Sequence, residues 1–515
     1  MKLFTLPEYL QEKYMKKVIL LILDGFGIRE SDNGNAIKMS NLPNLSKILN
    51  DYSVSELSTS EEVVGLPKGV AGNSEVGHMT IGCGRTIKSP LTLINEKIKD
   101  KSFFENDNLL DVMDHVNDNN STLHLIGLIQ NTNVYSSMEH FYAVLALAKI
   151  KKIKSVVFHF ITDGVTSLPT EAINIINEFM QKVSKLGLGT IGTITGRYYA
   201  MDRDSNYDRV KKAYDAICYN VGNTFSDYIR CLELHYKNNI TDEFINPSII
   251  TKNSVIRDND GVIFINYRPE NMSELISSFT DDSFNMFPVK KFKNVKYELL
   301  YGNDMNADSA YSNEEVTNTF GEYLADLEFK QARISEAPKY PEVTYYFDGG
   351  KEFSDKNLYK ILVPSPKVVR YDMKPEMNAA EVTGAIIEAI DEDFDFILAN
   401  YANPDVLGHT GNIPATVRAL EACDYCIGKI LEKADENFYD VVITSSHGNC
   451  EFMKDANGKV ITTNTLSKVP FVICNKEYKL KKNGSLKDVI PTIVDIYEIS
   501  KPKEMTGESL IIKNN

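Results

Sequence analysis

VILLILD (18–24), DFILANYANPD (395–405) and VVITSSHGN (441–449) share one pattern: a short apolar run passes straight into a polar, ligand-like residue. Each opening run has the length and composition of a strand buried on both faces of a parallel sheet. In an open α/β sheet, ligands collect outside the carboxyl ends of the strands. Asp24, Asp405 with His409, and His447 are therefore expected on one sheet edge, although hundreds of residues separate them in sequence. Asp and His gathered in one cleft suit a divalent cation. Taken singly, each is also an ordinary strand-terminal turn residue; the three together favour a site.

Working outward, strand and helix alternate along the chain, which is the α/β signature. HFYAVLALAKI (140–150) is expected as a helix, SVVFHFITDG (155–164) as a strand with a turn, and TIGTIT (190–195) and GVIFINYRP (261–269) as strands. EAINIINEFMQKVSKLGLG (171–189) is an amphipathic helix with a glycine stop. PEMNAAEVTGAIIEAI (375–390) is expected to be helical with Pro375 near its start, and NDMNADSAYSNEEVT (303–317) to be a linker. Residues 1–15 precede the periodic pattern and are expected to be an appended segment.

The chain has 515 residues, 43% of them apolar and 25% charged, as in ordinary globular proteins of two to four domains. A net charge of −15 argues against nucleic acid or an anionic membrane as partner. The seven cysteines are scattered, and Cys423-x-x-Cys426 lies on a helical pattern without a second pair, so a structural role in a reducing, cytoplasmic setting is expected. The longest N-terminal apolar run, six residues, is too short for a signal segment or a membrane span.

AGNSEVGHMTIGCGR (71–85) is the second informative stretch. A serine in a tight turn entering a helix exposes its hydroxyl, and the helix amides can hold an oxyanion or phosphate there. Ser74 is thus a candidate nucleophile that the Asp/His edge would activate through a metal; it also reads as an N-capping serine in a Gly-rich loop. Arg197, Arg203 and Arg268 are candidate anion clamps, or partners for Asp202, Asp204 and Glu270 nearby.

Several stretches, taken as a set, resemble the cofactor-independent phosphoglycerate mutase family of the alkaline-phosphatase-like superfamily. They are LLILDGFG (20–27), NLPNL (41–45), GLPKGVAGNSEVGHMTIGCGR (65–85), LHLIGL (123–128), GRYYAMDRDSNYDRVKKAYDA (196–216), INYRPEN (265–271), SPKVVRYDMKPEMNA (365–379) and NYANPDVLGHTG (400–411). The likeness runs from about Lys16 to the C-terminal region. It implies a phosphatase-like α/β domain with a mainly parallel sheet from 16–88 and 318–515, and an inserted α/β phosphotransferase domain at 89–317. Hinges would lie near 86–90 and 311–318. It also implies transfer of a phosphoryl group between the 2- and 3-positions of glycerate through a phosphoserine, with two divalent ions, usually manganese. Carried over by motif, Ser74 would be the nucleophile, supported by Lys339 in APKYPEVT (337–344). Asp24, Ser74 and His447 would hold one ion, and Asp405 with His409 the other. Arg197, Arg203 and Arg268 would hold the substrate in a monomeric enzyme.

The departures from that pattern fall on functional positions. Ser446 stands where the family has an Asp metal ligand, and Asn464 where it has a His. Tyr135 replaces a pocket His, Val165 and Thr166 replace an Arg-Asp pair, and Asn271 replaces an Arg. A neutral hydroxyl in place of a carboxylate removes a charge and a strong donor atom. Each lost charged hydrogen bond costs roughly 1.5–3 kcal/mol. The resemblance therefore implies phosphoryl or phosphonyl transfer with an altered substrate or reduced mutase activity. The alternative is a non-catalytic paralogue that binds a ligand or partner.

Overall fold

The computed structural model describes residues 16–302, 306–312 and 315–513. The chain divides into two compact units, Met1–Lys88 with Glu315–Asn515, and Ser89–Glu314. The expected appended segment, 1–15, lies outside the described residues, as do 303–305 and 313–314 of the expected linker. Within that linker, Asp308–Ser309 instead pairs with Lys296–Leu299 as a short parallel edge strand.

The unit made of both chain ends is built on an eight-stranded sheet. Its order is Leu358–Val363, Gln331–Glu336, Phe396–Tyr401, Lys17–Leu23, Tyr439–Thr444, Val469–Ile473, Val54–Ser58 and Asn483–Ser485. The first five run parallel, while Val469–Ile473 is antiparallel to both its neighbours. The three apolar runs singled out in the sequence are thus the three adjacent central strands. Their register pairs Leu23 with Tyr401 and Ile22 with Thr444, so the chain leaves all three at one edge.

The sequence explains why Lys17–Leu23 sits centrally. Ile19, Leu21 and Leu23 pack into a core with Val382, Ile386 and Leu420, whereas Val18, Leu20 and Ile22 pack into a second core with Ile81, Val489 and Ile493. Helices therefore cover both faces, and each apolar residue of the run has a layer to enter. Helix Ile413–Glu436 turns Cys423 and Cys426 into the first core, and both thiols are free. Helix Ala379–Asp391 starts later than expected: Met377 has φ 46°, a left-handed conformation, so Pro375 sits in the preceding turn and not in the helix.

The Ser89–Glu314 unit has its own eight-stranded sheet. Asp308–Ser309, Lys296–Leu299, Gly261–Phe264, Leu123–Ile129, Val156–Thr162 and Thr190–Gly196 run parallel in that order; Ser248–Ile249 follows antiparallel, and Asn223–Thr224 closes the edge. Helices Met138–Ile150 and Ala172–Leu186 occupy the expected stretches, the second ending at Gly187 with φ 68°.

This sheet buries a carboxyl group. Glu298 is 2% exposed, its Oε1 lacks a hydrogen-bond partner, and burial, reinforced by Asp308, pushes its pKa from 4.5 up to about 8. The folded state then keeps a proton that the unfolded state has released. The penalty is absent below the unfolded pKa, grows as pH rises through the window from 4.5 to about 8, and is complete above it. In the window, the unfolding constant gains up to about tenfold per pH unit from this group. Glu298→Gln should remove that slope. Its thermal midpoint should pull ahead of the parent's between pH 5 and 8.5, and parallel midpoints would contradict the assignment.

Candidate active site

The central strands deliver their ligand-like residues through three different loops. After Lys17–Leu23 comes Asp24, then Gly25 with φ 82°, where an added Cβ would lie 3.0 Å from the Asp405 backbone. Gly25 bridges Gly448, and its carbonyl accepts from the Asn449 and Cys450 amides at 3.1 and 2.9 Å. These bonds fix Asp24 beside the loop that carries Ser446 and His447. After Phe396–Tyr401 the chain enters the short helix Asn403–Gly408, so Asp405 sits in a helical first turn and not at a strand end. His409 follows one turn later on the same face.

Ser74 opens helix Ser74–Cys83. The cap of that helix is Asn73, whose side chain accepts from the Val76 amide at 2.9 Å. Ser74 is therefore not the capping serine, and its hydroxyl serves another purpose: it accepts a hydrogen bond from Lys339 Nζ. The helix can approach this closely because Gly77 has no side chain; a Cβ there would lie 2.6 Å from Ser446 Cβ.

Lys339 joins the cluster. Its ammonium lies 2.6 Å from Asp405 Oδ2 and 3.2 Å from Asp24 Oδ2, and all three side chains are buried. Burial works against the lysine charge, but Asp24 and Asp405 outweigh it and raise its pKa above the ordinary value. Burial alone would likewise raise Asp24, yet Lys339 holds its carboxyl below the usual carboxylate range. A charged ammonium on a serine oxygen stabilises the alkoxide that a phosphoryl acceptor must become.

Asp405 Oδ1 is the focus of a second set of contacts. His447 Nε2 stands at 3.0 Å, His409 Nε2 at 3.2 Å and Asn449 Nδ2 at 3.0 Å. The hydrogen-bond partners fix the orientation of both imidazoles. His409 donates Nδ1–H to the Thr462 carbonyl at 2.6 Å, which turns Nε2 toward Asp405, and that carboxylate raises the imidazole's pKa above its ordinary value. The Ser446 hydroxyl donates to Asp24, so His447 donates its own Nδ1–H to Ser446 Oγ at 2.8 Å. Both Nε2 atoms then face one carboxylate oxygen, an arrangement in which all three groups could share a bound cation. Ligand atoms of Asp405, His409 and His447 lie within 4.8 Å of one another. A metal-ligating imidazole is normally oriented by an acceptor on its other nitrogen, and both have one. The donor set fits a divalent ion.

The other expected residues lie in the Ser89–Glu314 unit. Arg197 donates to Asp163 at 2.6 Å and stacks on the Tyr135 ring at 4.8 Å. Asp163 also accepts from the amides and hydroxyls of Thr166 and Ser167. Arg203 donates to Asn271 Oδ1 at 3.1 Å, and Asn271 lies in the turn that begins at the exposed Arg268. Val165 is 55% exposed.

Sequence reasoning missed three residues of the first unit's cluster. Asn449 is two positions beyond His447, and that spacing was its only signal. His78, one turn after Ser74, bonds to the Ser74 carbonyl and to Asn400, which fixes the start of the helix. Glu342, in a single π-helical turn after Lys339, is pushed by burial up to about 7, against the pull of Lys339.

Comparisons with known proteins place the chain in a family. The family model described as the metalloenzyme superfamily matches residues 16–501. A 2,3-bisphosphoglycerate-independent phosphoglycerate mutase of Staphylococcus saprophyticus is 41% identical over 496 residues, spanning 96% of this chain and 98% of its own. One from Clostridium kluyveri is 42% identical over 506 residues, spanning 96% and 99%. The crystal structure of Leishmania mexicana phosphoglycerate mutase at low cobalt concentration superposes with a TM-score of 0.69 at 25% identity, covering 97% of this chain and 98% of the other. The chain belongs to the 2,3-bisphosphoglycerate-independent phosphoglycerate mutase family, metal-dependent enzymes of the metalloenzyme superfamily.

Proposed function

We propose that this chain transfers a phosphoryl group through Ser74 on a small phosphorylated carboxylate or a phosphonate relative. Its interconversion of 2- and 3-phosphoglycerate is slower than is usual for the family. The observation that carries the reading is the buried Lys339 ammonium on Ser74 Oγ, held there by Asp24 and Asp405. Ser74 oxygen forms a bond to phosphorus as the substrate's ester bond breaks, and the phosphoserine then returns the group to a hydroxyl of the bound acid. Lys339 stabilises the serine oxygen in both steps. Asp405, His409 and His447 would hold a divalent ion, manganese in this proposal, which supplies Lewis-acid stabilisation of the transferring group. Arg197, Arg203 and Arg268 would orient the substrate anions.

The lowered mutase activity follows from how those cations are used. Arg197 is neutralised by Asp163, and Asn271 accepts from Arg203 where the family pattern would add another cation. The same observation favours the second reading, a paralogue that binds its ligand without turning it over. The rest of the proposal is a cytoplasmic monomer without nucleic-acid or membrane partners. It draws on the net charge of −15 and the seven free cysteines; no helix among the described residues is long and apolar enough to cross a membrane.

The test is a coupled assay, with 3-phosphoglycerate and manganese supplied and product consumed by enolase. The expected rate is at least about a hundredfold below that of the Staphylococcus saprophyticus relative, since losing roughly 2.7 kcal/mol of transition-state binding gives that factor. Equal rates would sink the altered-substrate reading.

A further inference from the structure

The metal-ligating groups of this chain divide unevenly. On one side, Asp405, His409 and His447 converge, with both imidazoles set by acceptors on Nδ1 and both Nε2 atoms aimed at the same carboxylate oxygen. Asn464, in the loop that supplies the Thr462 carbonyl, keeps its Oδ1 buried without a hydrogen-bond partner. On the other side stand Asp24, Ser74 and Ser446: one carboxylate and two hydroxyls. Asp24 Oδ1 is engaged by the Ser446 hydroxyl, while its buried Oδ2 has no hydrogen-bond partner and is matched only by the charge of the Lys339 ammonium at 3.2 Å. Ser74 Oγ is also taken, by Lys339 Nζ.

Charge points the same way. The two carboxylates that meet Lys339 carry two negative charges, and its ammonium already balances one of them. A first dication between Asp405 and the imidazoles more than balances the other. A second one, beside Asp24, would face the ammonium and the first ion with a single carboxylate for support. Hydroxyl oxygens are weak donors for such an ion unless ionised, and displacing the ammonium from Asp24 would cost a buried lysine one of its two carboxylate partners.

We propose that this protein binds one divalent ion, at Asp405, His409 and His447, and that the Lys339 ammonium, hydrogen-bonded to Ser74 and paired with Asp24, takes the place of a second. His447 then serves the single site, its ring fixed through Ser446 to Asp24. The inference rests on the metal-dependent reading above and narrows it: the cation at the serine oxygen is organic, fixed in the chain and independent of metal supply.

The experiment is metal stoichiometry of the full-length chain, loaded with Mn2+, dialysed and measured by elemental analysis, with the electron paramagnetic resonance spectrum of the same samples. The parent should retain one equivalent with the hyperfine pattern of an isolated Mn2+. His409→Ala, altering a half-exposed side chain, should lose that equivalent. Ser446→Asp should raise the number to two and broaden the spectrum by coupling between neighbouring ions. Two equivalents with a coupled spectrum in the parent would overturn the inference and leave metal dependence intact. An unchanged single equivalent in His409→Ala would overturn the placement of the ion. No retained manganese in the parent would instead defeat the metal-dependent reading itself. Because the parent's own count decides between one ion and two, a failure of Ser446→Asp to fold would not rescue the proposal.

Discussion

Ser74→Ala is expected to lower phosphoryl transfer by about 10⁴-fold or more on every substrate the chain accepts, as loss of a covalent nucleophile does elsewhere. The hydroxyl has no structural duty that alanine cannot cover. Asn73, not Ser74, caps the helix, and the Ser74 carbonyl that holds His78 is backbone. Lys339 keeps Asp24 and Asp405 as partners after the change. The variant should therefore fold with the parent's thermal midpoint and bind manganese at Asp405, His409 and His447 as the parent does. Retained turnover would show that the phosphoryl group travels by another route. Lost turnover together with lost metal would show that Ser74 is needed to build the ion site.

The second large effect is a gain. Val165→Arg combined with Asn271→Arg should raise 2-/3-phosphoglycerate interconversion by roughly tenfold or more, since each restored charged hydrogen bond is worth about 1.5–3 kcal/mol. Val165 is exposed in the turn after Val156–Thr162, so a longer side chain has room to extend there. Asn271 now spends its carbonyl on Arg203, and replacing it frees that guanidinium for a substrate anion. Gln at both positions, equal in polarity but uncharged, should give no such gain. If the Arg pair leaves both kcat and KM unchanged, missing cations are not what limits the mutase reaction.

Much of this was legible before the structure, for a definite reason. In a parallel sheet covered on both faces the central strands are largely apolar, so the runs VILLIL, FILA and VVIT stand out, and the polar residues that follow each are expected at the same edge. That placed Asp24, Asp405 and His447 together without any knowledge of the turns between them. Asp405 arrives one helical turn late because Asn403–Gly408 intervenes, a helix too short to carry a periodic signal. The ring orientations of His409 and His447 were not legible at all, because a backbone carbonyl at Thr462 and a hydroxyl at Ser446 set them. The late start of helix Ala379–Asp391 was hidden for a related reason. A left-handed Met377 has no sequence signature, whereas Gly187, the expected helix stop, does.

The central claim is that phosphorus passes through Ser74, and peptide mass spectrometry tests it most directly. The full-length chain with manganese is incubated with 3-phosphoglycerate and a panel of phosphorylated and phosphonylated carboxylates, quenched in acid, digested and mapped. The account predicts one added phosphoryl group on Ser74 in the peptide spanning 71–85, dependent on manganese and absent from Ser74→Ala. Turnover with Ser74 unmodified throughout, or with the group on a different residue, would contradict it.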